Sequence, residues 1–524
     1  MMGCKKSVLS LMASAVGMGI SITTMSGSVL AAPPDSIRVI VAFKPGAAAQ
    51  ARAAVSAAKG QIKHEIFGMD AMAIEVPANA LQGLERNPNV EYVELDEKRY
   101  LHAGATPSTG SPYLIGQLVP YGIPLVQANQ MPNGDALAAN RKVCIIDSGY
   151  DLQHEDLNTN SVTGEYDSGT GWWYTDENSH GTHVAGTIAA INNSGIGVVG
   201  VNPNKTLKLH IVKVFNAAGW AYSSTLTTAA NKCSAAGANI ISMSLGGTRA
   251  VKTEERAFNT LTANGILSIA AAGNAGTTAF SYPASYPTVM SVAAVDENKQ
   301  WATFSQYNSQ VEISGPGVNV LSTVPMGTGS KSALTVGATT YAPGGIDGSP
   351  KRVATAALAD FGLGTVVSAA MAGKVCLIAR GTNTFGEKVA NCQSSGGVAA
   401  VIYNNVAGGF GATLGTTVTA IPSVTASDTE GAAMRLQFGQ SATVAVTATN
   451  YAYFDGTSMA TPHVSAVAAL VWSYFTTCTN AQIRNTLNKS AEDLGTVGRD
   501  TKFGFGLVRA RAAYDRISTL GCNN

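Results

Sequence analysis

Short segments that alternate apolar and polar residues dominate positions 37 to 95. Ile37 to Phe43, Ala71 to Val76 and Val90 to Leu95 read as strands, while the Ala-rich Ala47 to Gly60 and the segment Ala78 to Arg86 read as helices. The order βαβαβ predicts a small α+β domain. Further along, the alternation disappears. Val143-Cys144-Ile145-Ile146 is a continuous apolar run and Ser268-Ile269-Ala270-Ala271-Ala272 a small-residue strand, the pattern of strands buried in an open α/β sheet. Residues from His180 to about Ile191 read as an Ala/Gly-rich helix, and those after Ser458 as an apolar one.

The extreme N-terminus follows neither pattern. Lys5 and Lys6 precede an apolar run from Val8 to Ile20, then a Ser/Thr/Gly stretch and small residues up to Ala32. That layout predicts a secretory signal peptide over residues 1–32, and hence an exported, extracellular protein. Gly17, Gly19 and the Ser/Thr cluster argue against a buried helix there. No stretch of 18 strongly apolar residues is present, so no membrane anchor is expected.

Length and charge narrow the picture. A chain of 524 residues suggests about three to four units. Charged residues make up only 13% of it, against about a quarter in typical domains, yet residues 33–103 hold 17 in 71. The shift marks 33–103 as a separate unit. With 34 basic and 33 acidic side chains the net charge is +1, which provides no field for nucleic acid.

Loss of a signal peptide would remove Cys4 and leave six cysteines, an even set suited to disulfides in an exported protein. Six allow 15 connectivities. Cys376 with Cys392 are close in sequence, Cys478 with Cys522 would tether the tail, and Cys144 with Cys233 follows only by elimination. Six buried free thiols are the alternative.

Three separated motifs carry candidate chemistry. Asp147 ends a predicted strand, His180 opens a predicted helix in Asn178-Ser179-His180-Gly181-Thr182-His183, and Ser458 opens another in Gly456-Thr457-Ser458-Met459-Ala460-Thr461-Pro462. A serine hydroxyl is a weak nucleophile until an imidazole takes its proton, and a carboxylate holds that imidazole in the right tautomer. A helix N-terminus offers Ser458 backbone N–H donors for a developing oxyanion, and Asn274, after Ala272-Gly273, offers an amide for the same oxygen. Singly, each is an ordinary turn or cap residue. Jointly they are specific.

These motifs, with Ile240-Ile241-Ser242-Met243-Ser244-Leu245-Gly246-Gly247 and Tyr282-Pro283-Ala284-Ser285-Tyr286-Pro287, resemble the subtilases, the subtilisin-like serine proteases, over roughly 115–327 and 450–515. Two rival readings fail on the residues. His180 and His183 lack the following Glu of the zinc-protease signature, and an α/β-hydrolase needs its acid and histidine after the serine, where only His463 stands, five residues on.

The resemblance implies a doubly wound parallel α/β sheet and a catalytic triad of Asp147, His180 and Ser458 with Asn274 at the oxyanion. His183 becomes structural. Ser244, Leu245, Gly246, Gly247, Ala272 and Gly273 would line a cleft in which an extended protein or peptide substrate adds as a strand. Ala275 brings no charge there, which predicts endopeptidase cleavage after large apolar or aromatic residues. A structural calcium ion is implied at Gln117, Asp156 and Asn193 with carbonyls of Ile191, Ile196 and Val198, although Gly195 looks like an extra residue in this loop. Residues 33–103 resemble the family's propeptide, which chaperones folding and inhibits until cut away, with cleavage expected within 99–116. The catalytic domain would then run over 115–327 and 450–524 and act as a monomer. Between them, 328–449 is too long for a structureless loop. Its strand–helix–strand centre, Gly373 to Asn405, resembles a β-rich protease-associated domain.

Overall fold

The computed structural model describes residues 36–102, 104–105, 117–193 and 195–523. The predicted signal peptide and most of the predicted processing window lie outside the described residues.

Four antiparallel strands form the N-terminal sheet, in the order Gln61–Glu65, Ala71–Pro77, Ser36–Phe43, Val90–Leu95. Helices Ala48–Ala57 and Leu81–Glu85 cover one face, packing Ala51, Val55 and Leu84 onto Val39, Val41, Met72 and Ile74. The order is therefore βαββαβ, one strand more than the sequence reading. Gln61–Glu65 escaped it because an edge strand with a single apolar residue, Ile62, itself 40% exposed, carries no alternation to detect.

Seven parallel strands form the central sheet, in the order Val311–Pro316, Val289–Val295, Leu267–Ala271, Ile240–Met243, Lys142–Asp147, Lys208–Lys213, Ser161–Gly164. Successive residues feed opposite cores. Val143, Ile145, Ile240 and Ile269 join the layer built on helices His180–Ala189 and Thr457–Tyr474, whereas Cys144, Ile146, Ile241 and Ala270 join the layer under helices Ser223–Ala235 and Lys252–Ala263. Covering both faces explains the unbroken apolar runs. Helix Thr457–Tyr474 is buried from Thr457 to Ser473, so no face of it carries a charged residue.

Strands from Gly329–Val336 to Ser441–Thr449 build a nine-stranded sheet with its own cores around Leu377, Val401 and Val444 on one side and Ile378, Val389 and Ile402 on the other. Three disulfides form: Cys144–Cys233 ties the central strand to helix Ser223–Ala235, Cys376–Cys392 ties strand Val375–Ala379 of the second sheet to helix Phe385–Ser394, and Cys478–Cys522 holds the C-terminal tail.

Candidate active site

Asp147, His180, Asn274 and Ser458 all sit at the C-terminal edge of the parallel sheet, where open α/β folds collect their chemistry. Asp147 is the last residue of its strand and wholly buried. His180 opens helix His180–Ala189, and its Nδ1 lies 2.7 Å from Asp147 Oδ1. The turn after Asp147 needs glycine: Gly149 has φ +128°, and a Cβ there would meet the Thr175 carbonyl at 1.9 Å. His180 Nε2 has no hydrogen-bond partner. The Ser458 hydroxyl instead donates to the Ser244 carbonyl at 2.8 Å, so serine and histidine meet only after rotation about the Ser458 side chain.

Asn274 is held in one orientation. Its Oδ1 accepts from Thr457 N at 2.9 Å and Thr457 Oγ1 at 2.8 Å, which leaves its Nδ2 to donate, and that group donates to the His102 carbonyl. The chain itself thus occupies the cleft. Lys98–Leu101 runs as an antiparallel strand between Leu245–Gly246 and Trp220–Tyr222, pairing Leu101 with Leu245 and Tyr100 with Gly246. His102 N donates to Ser244 O at 3.4 Å, and Gly104–Ala105 pairs with Phe454–Asp455. The His102 ring reaches Ser281 Oγ at 3.1 Å and lines, with Gly246, Asn274, Ala275 and Phe280, a cavity of about 550 Å³. Burial pushes this imidazole down to about 4, so it sits there neutral.

Of the cleft residues read from sequence, Ser244, Leu245 and Gly246 bond the threaded strand, and Gly247 lies against the Lys98 carbonyl. Ala272 is buried with Ala293 and Val311 in the core, and Gly273 is held by Thr457 Oγ1 and Gln306 N. Sequence reading missed Thr457, which aims Asn274, and Asp176, which accepts from the N–H groups of Asn178, Ser179 and Thr182 and from the Ser148 hydroxyl at the start of the His180 helix. An Asp shortly before an apolar helix is a capping signal that would have found the latter.

His183 points away from this centre. Its Nε2 faces the Val320 and Ala452 carbonyls at 3.0 and 3.1 Å and its ring stacks on Phe454 at 4.3 Å, while burial lowers it to about 3.

A second oxygen-rich spot lies 117–198. The Gln117 amide nitrogen meets Ile191 O at 2.8 Å, Asn193 Oδ1 at 3.2 Å and Val198 O at 3.4 Å. Buried Asp156 accepts from Asn193 Nδ2 at 2.7 Å and Val198 N at 2.8 Å, and burial raises its carboxyl. Ile196 stands exposed in the same loop and joins none of these bonds. Three oxygens converging on one polarised N–H₂ group beside a buried carboxylate fit a hard, oxygen-seeking cation. Among the described residues no group of three His, Cys, Asp or Glu side chains gathers to hold a metal, so such an ion would rest chiefly on carbonyl and amide oxygens.

The chain matches the Subtilase family over residues 138–345 and 321–506, and the Fervidolysin N-terminal prodomain over 38–96. It is 34% identical over 317 residues to subtilisin amylosacchariticus of Bacillus subtilis subsp. amylosacchariticus, covering 59% of this chain and 79% of that protein. Among solved structures, the psychrophilic subtilisin-like protease Apa1 from the Antarctic psychrotroph Pseudoalteromonas sp. AS-11 is 44% identical with a TM-score of 0.61, covering 78% of this chain and 99% of that one. Fervidolysin from Fervidobacterium pennivorans, a keratinolytic enzyme related to subtilisin, is 22% identical with a TM-score of 0.61, covers 92% of this chain and 61% of that one, and shares the fold.

Proposed function

The chain belongs to the subtilase family and is a serine endopeptidase with an N-terminal prodomain, and on that premise we propose that Asp147, His180 and Ser458 form its triad and cut first the bond that follows His102 in their own precursor. One observation carries this reading: residues 98–102 lie strand-paired in the cleft with the His102 carbonyl against the Asn274 amide.

The chemistry follows from the atoms present. Ser458 Oγ turns from the Ser244 carbonyl to His180 Nε2, gives up its proton and attacks the His102 carbonyl carbon. Asp147, bonded to His180 Nδ1, holds the ring's tautomer and stabilises the imidazolium. Negative charge grows on the carbonyl oxygen that Asn274 already faces, supplemented by the Ser458 N–H in the first turn of helix Thr457–Tyr474. His180 then protonates the leaving amine, and water repeats the sequence to release the acyl group.

Glu94 and Asp96 support the inhibitory and chaperoning role of the prodomain. Neither helix Lys252–Ala263 nor helix Ser223–Ala235 has a side-chain cap of its own. Glu94 accepts from Lys252 N and Thr253 N at 2.8 and 2.9 Å, and Asp96 from Ser224 N at 3.0 Å. Prodomain carboxylates thereby cap two catalytic-domain helices that would otherwise end in bare donors.

Outside the precursor, the cleft is read as a broad-specificity site for protein and peptide chains. A pocket that takes a neutral imidazole and holds no charge beside Ala275 suits uncharged rings and apolar side chains at the residue before the cut. Export and monomeric action complete the reading. Calcium bound by Gln117, Asp156, Ile191, Asn193 and Val198 would neutralise the buried carboxylate and join the 193–198 loop to residue 117. The second β-rich sheet, residues 329–449, is read as a protease-associated domain. Labelling of Ser458 by a serine-directed phosphonate tests the centre: stoichiometric modification of the processed enzyme is expected, and an unlabelled, inactive protein would exclude it.

A further inference from the structure

We propose that Glu254 makes this enzyme select arginine at the fourth residue before the cleaved bond. The inference rests on the reading that residues 98–102 occupy the substrate cleft. With His102 as the first residue before the cut, the fourth is Arg99.

Arg99 and Glu254 are both completely withdrawn from solvent, at 0% side-chain exposure each. Arg99 Nε lies 3.1 Å from Glu254 Oε1 and Nη2 lies 2.7 Å from Oε2, a two-pronged pairing that matches the flat guanidinium to the carboxylate. The other Arg99 donors reach Lys98 O at 3.2 Å and Arg249 O at 3.1 Å. Tyr286 completes the pocket: its hydroxyl donates to Glu254 Oε2 at 2.7 Å and accepts from Val251 N at 2.9 Å. Glycine is required at Gly247, where a Cβ would stand 2.5 Å from the Lys98 carbonyl and 2.9 Å from Arg99 Nη1.

Every polar wall of this pocket except the Lys98 carbonyl belongs to the catalytic domain. Glu254 sits on helix Lys252–Ala263 and Tyr286 beyond the strand Leu267–Ala271, so both stay when the prodomain departs. What remains is the Glu254 carboxylate with one hydroxyl donor, that of Tyr286. A chain entering with leucine at this position leaves that carboxylate without a countercharge, and lysine brings a single charged nitrogen where two prongs and the Arg249 carbonyl await. Arginine satisfies all of them. Tyr100, third before the cut, selects less, because it is 48% exposed.

The test uses mature enzyme released from the full chain and internally quenched peptides of sequence Glu-Lys-Arg-Tyr-Leu-His-Ala-Gly-Ala, with the arginine kept or replaced by lysine, leucine or glutamate. Arginine is expected to exceed lysine and leucine by at least about tenfold in kcat/KM, as fits loss of a buried charge pair, and glutamate to be worst. Glu254→Leu should invert the order of the arginine and leucine peptides. Should Glu254→Leu fail to mature with Arg99 facing leucine, the paired variant Arg99→Leu/Glu254→Leu restores a matched pocket and should prefer the leucine peptide. Equal cleavage of arginine and leucine peptides by the unaltered enzyme, or arginine preference in either variant, overturns the selectivity and leaves the protease reading standing. Absence of cleavage of every peptide, with Ser458 unlabelled, would bring down that reading and the selectivity with it.

Discussion

The Ser458 hydroxyl donates to the Ser244 carbonyl at 2.8 Å while the Ser244 hydroxyl donates back to the Ser458 carbonyl at 2.7 Å. The second bond exists because of Pro462. Four residues after Ser458, it has no N–H to give, so the Ser458 carbonyl lacks its helical donor and takes one from the neighbouring strand. Ser244→Ala should leave that buried carbonyl unpaired and cost about 1–3 kcal/mol of stability. In a Pro462→Ala background the new N–H replaces the lost hydroxyl, and the same substitution should cost less than half as much. Urea unfolding of the four proteins of this cycle decides it; equal costs in both backgrounds would refute the coupling.

Processing offers a direct reading of the cleft. Mature enzyme should begin at Ala103, seen by N-terminal sequencing, and Ser458→Ala should accumulate as uncut precursor. Asn274→Ala should slow processing by about 10²–10³-fold, the usual loss for one oxyanion donor. A mature start far from residue 103, or normal processing of Ser458→Ala, would assign the cut to another protease.

Much of this arrangement was legible in the sequence because it resides in contiguous signals. Val90–Leu95 was read to the residue, and Asp147, His180 and Ser458 were visible as polar residues ending or opening apolar elements. Other features depend on tertiary contact. Glu254 looks like an ordinary first-turn acid of a helix, and its pairing with Arg99, 155 positions away, exists only in the folded chain. Ala272 is expected on the cleft wall from the resemblance of its segment, which says nothing about how its side chain packs, and that side chain is buried with Ala293 and Val311.

The prodomain caps give a quantitative expectation. Glu94→Ala and Asp96→Ala each remove a charged acceptor from the N-terminus of a helix without another side-chain cap. Each loss is worth about 0.5–2 kcal/mol, or roughly 2- to 30-fold in affinity. The concentration of released prodomain that half-inhibits mature enzyme should rise accordingly, and an unchanged value would show that the strand Lys98–Leu101 alone provides the hold.

Calcium removal should act through Asp156. Its carboxylate is buried, with Asn193, Val198 and Tyr451 as its donors, so stripping the cation leaves the charge in a poor environment. Chelator treatment should lower the melting temperature by several degrees, and Asp156→Asn should abolish most of that sensitivity. A melting temperature indifferent to chelator and calcium alike would remove the ion from the account.

Acid stability follows from two buried histidines outside the triad. Burial lowers His183 to about 3 and His463 to about 4, and both lie at 0% exposure. In the unfolded chain each returns to about 6.5. Between those values the unfolded state binds protons that the folded state refuses, so stability is full above about pH 6.5 and falls as pH drops. Each histidine contributes about 1.4 kcal/mol per pH unit across this window. Substituting His463 with an uncharged residue of similar shape, His463→Gln, should make the decline between pH 6 and pH 4 shallower by up to about 1.4 kcal/mol per pH unit whatever it does to stability at pH 8. Urea midpoints measured across that range provide the check, and an undiminished slope in the variant would show that other groups take up the protons.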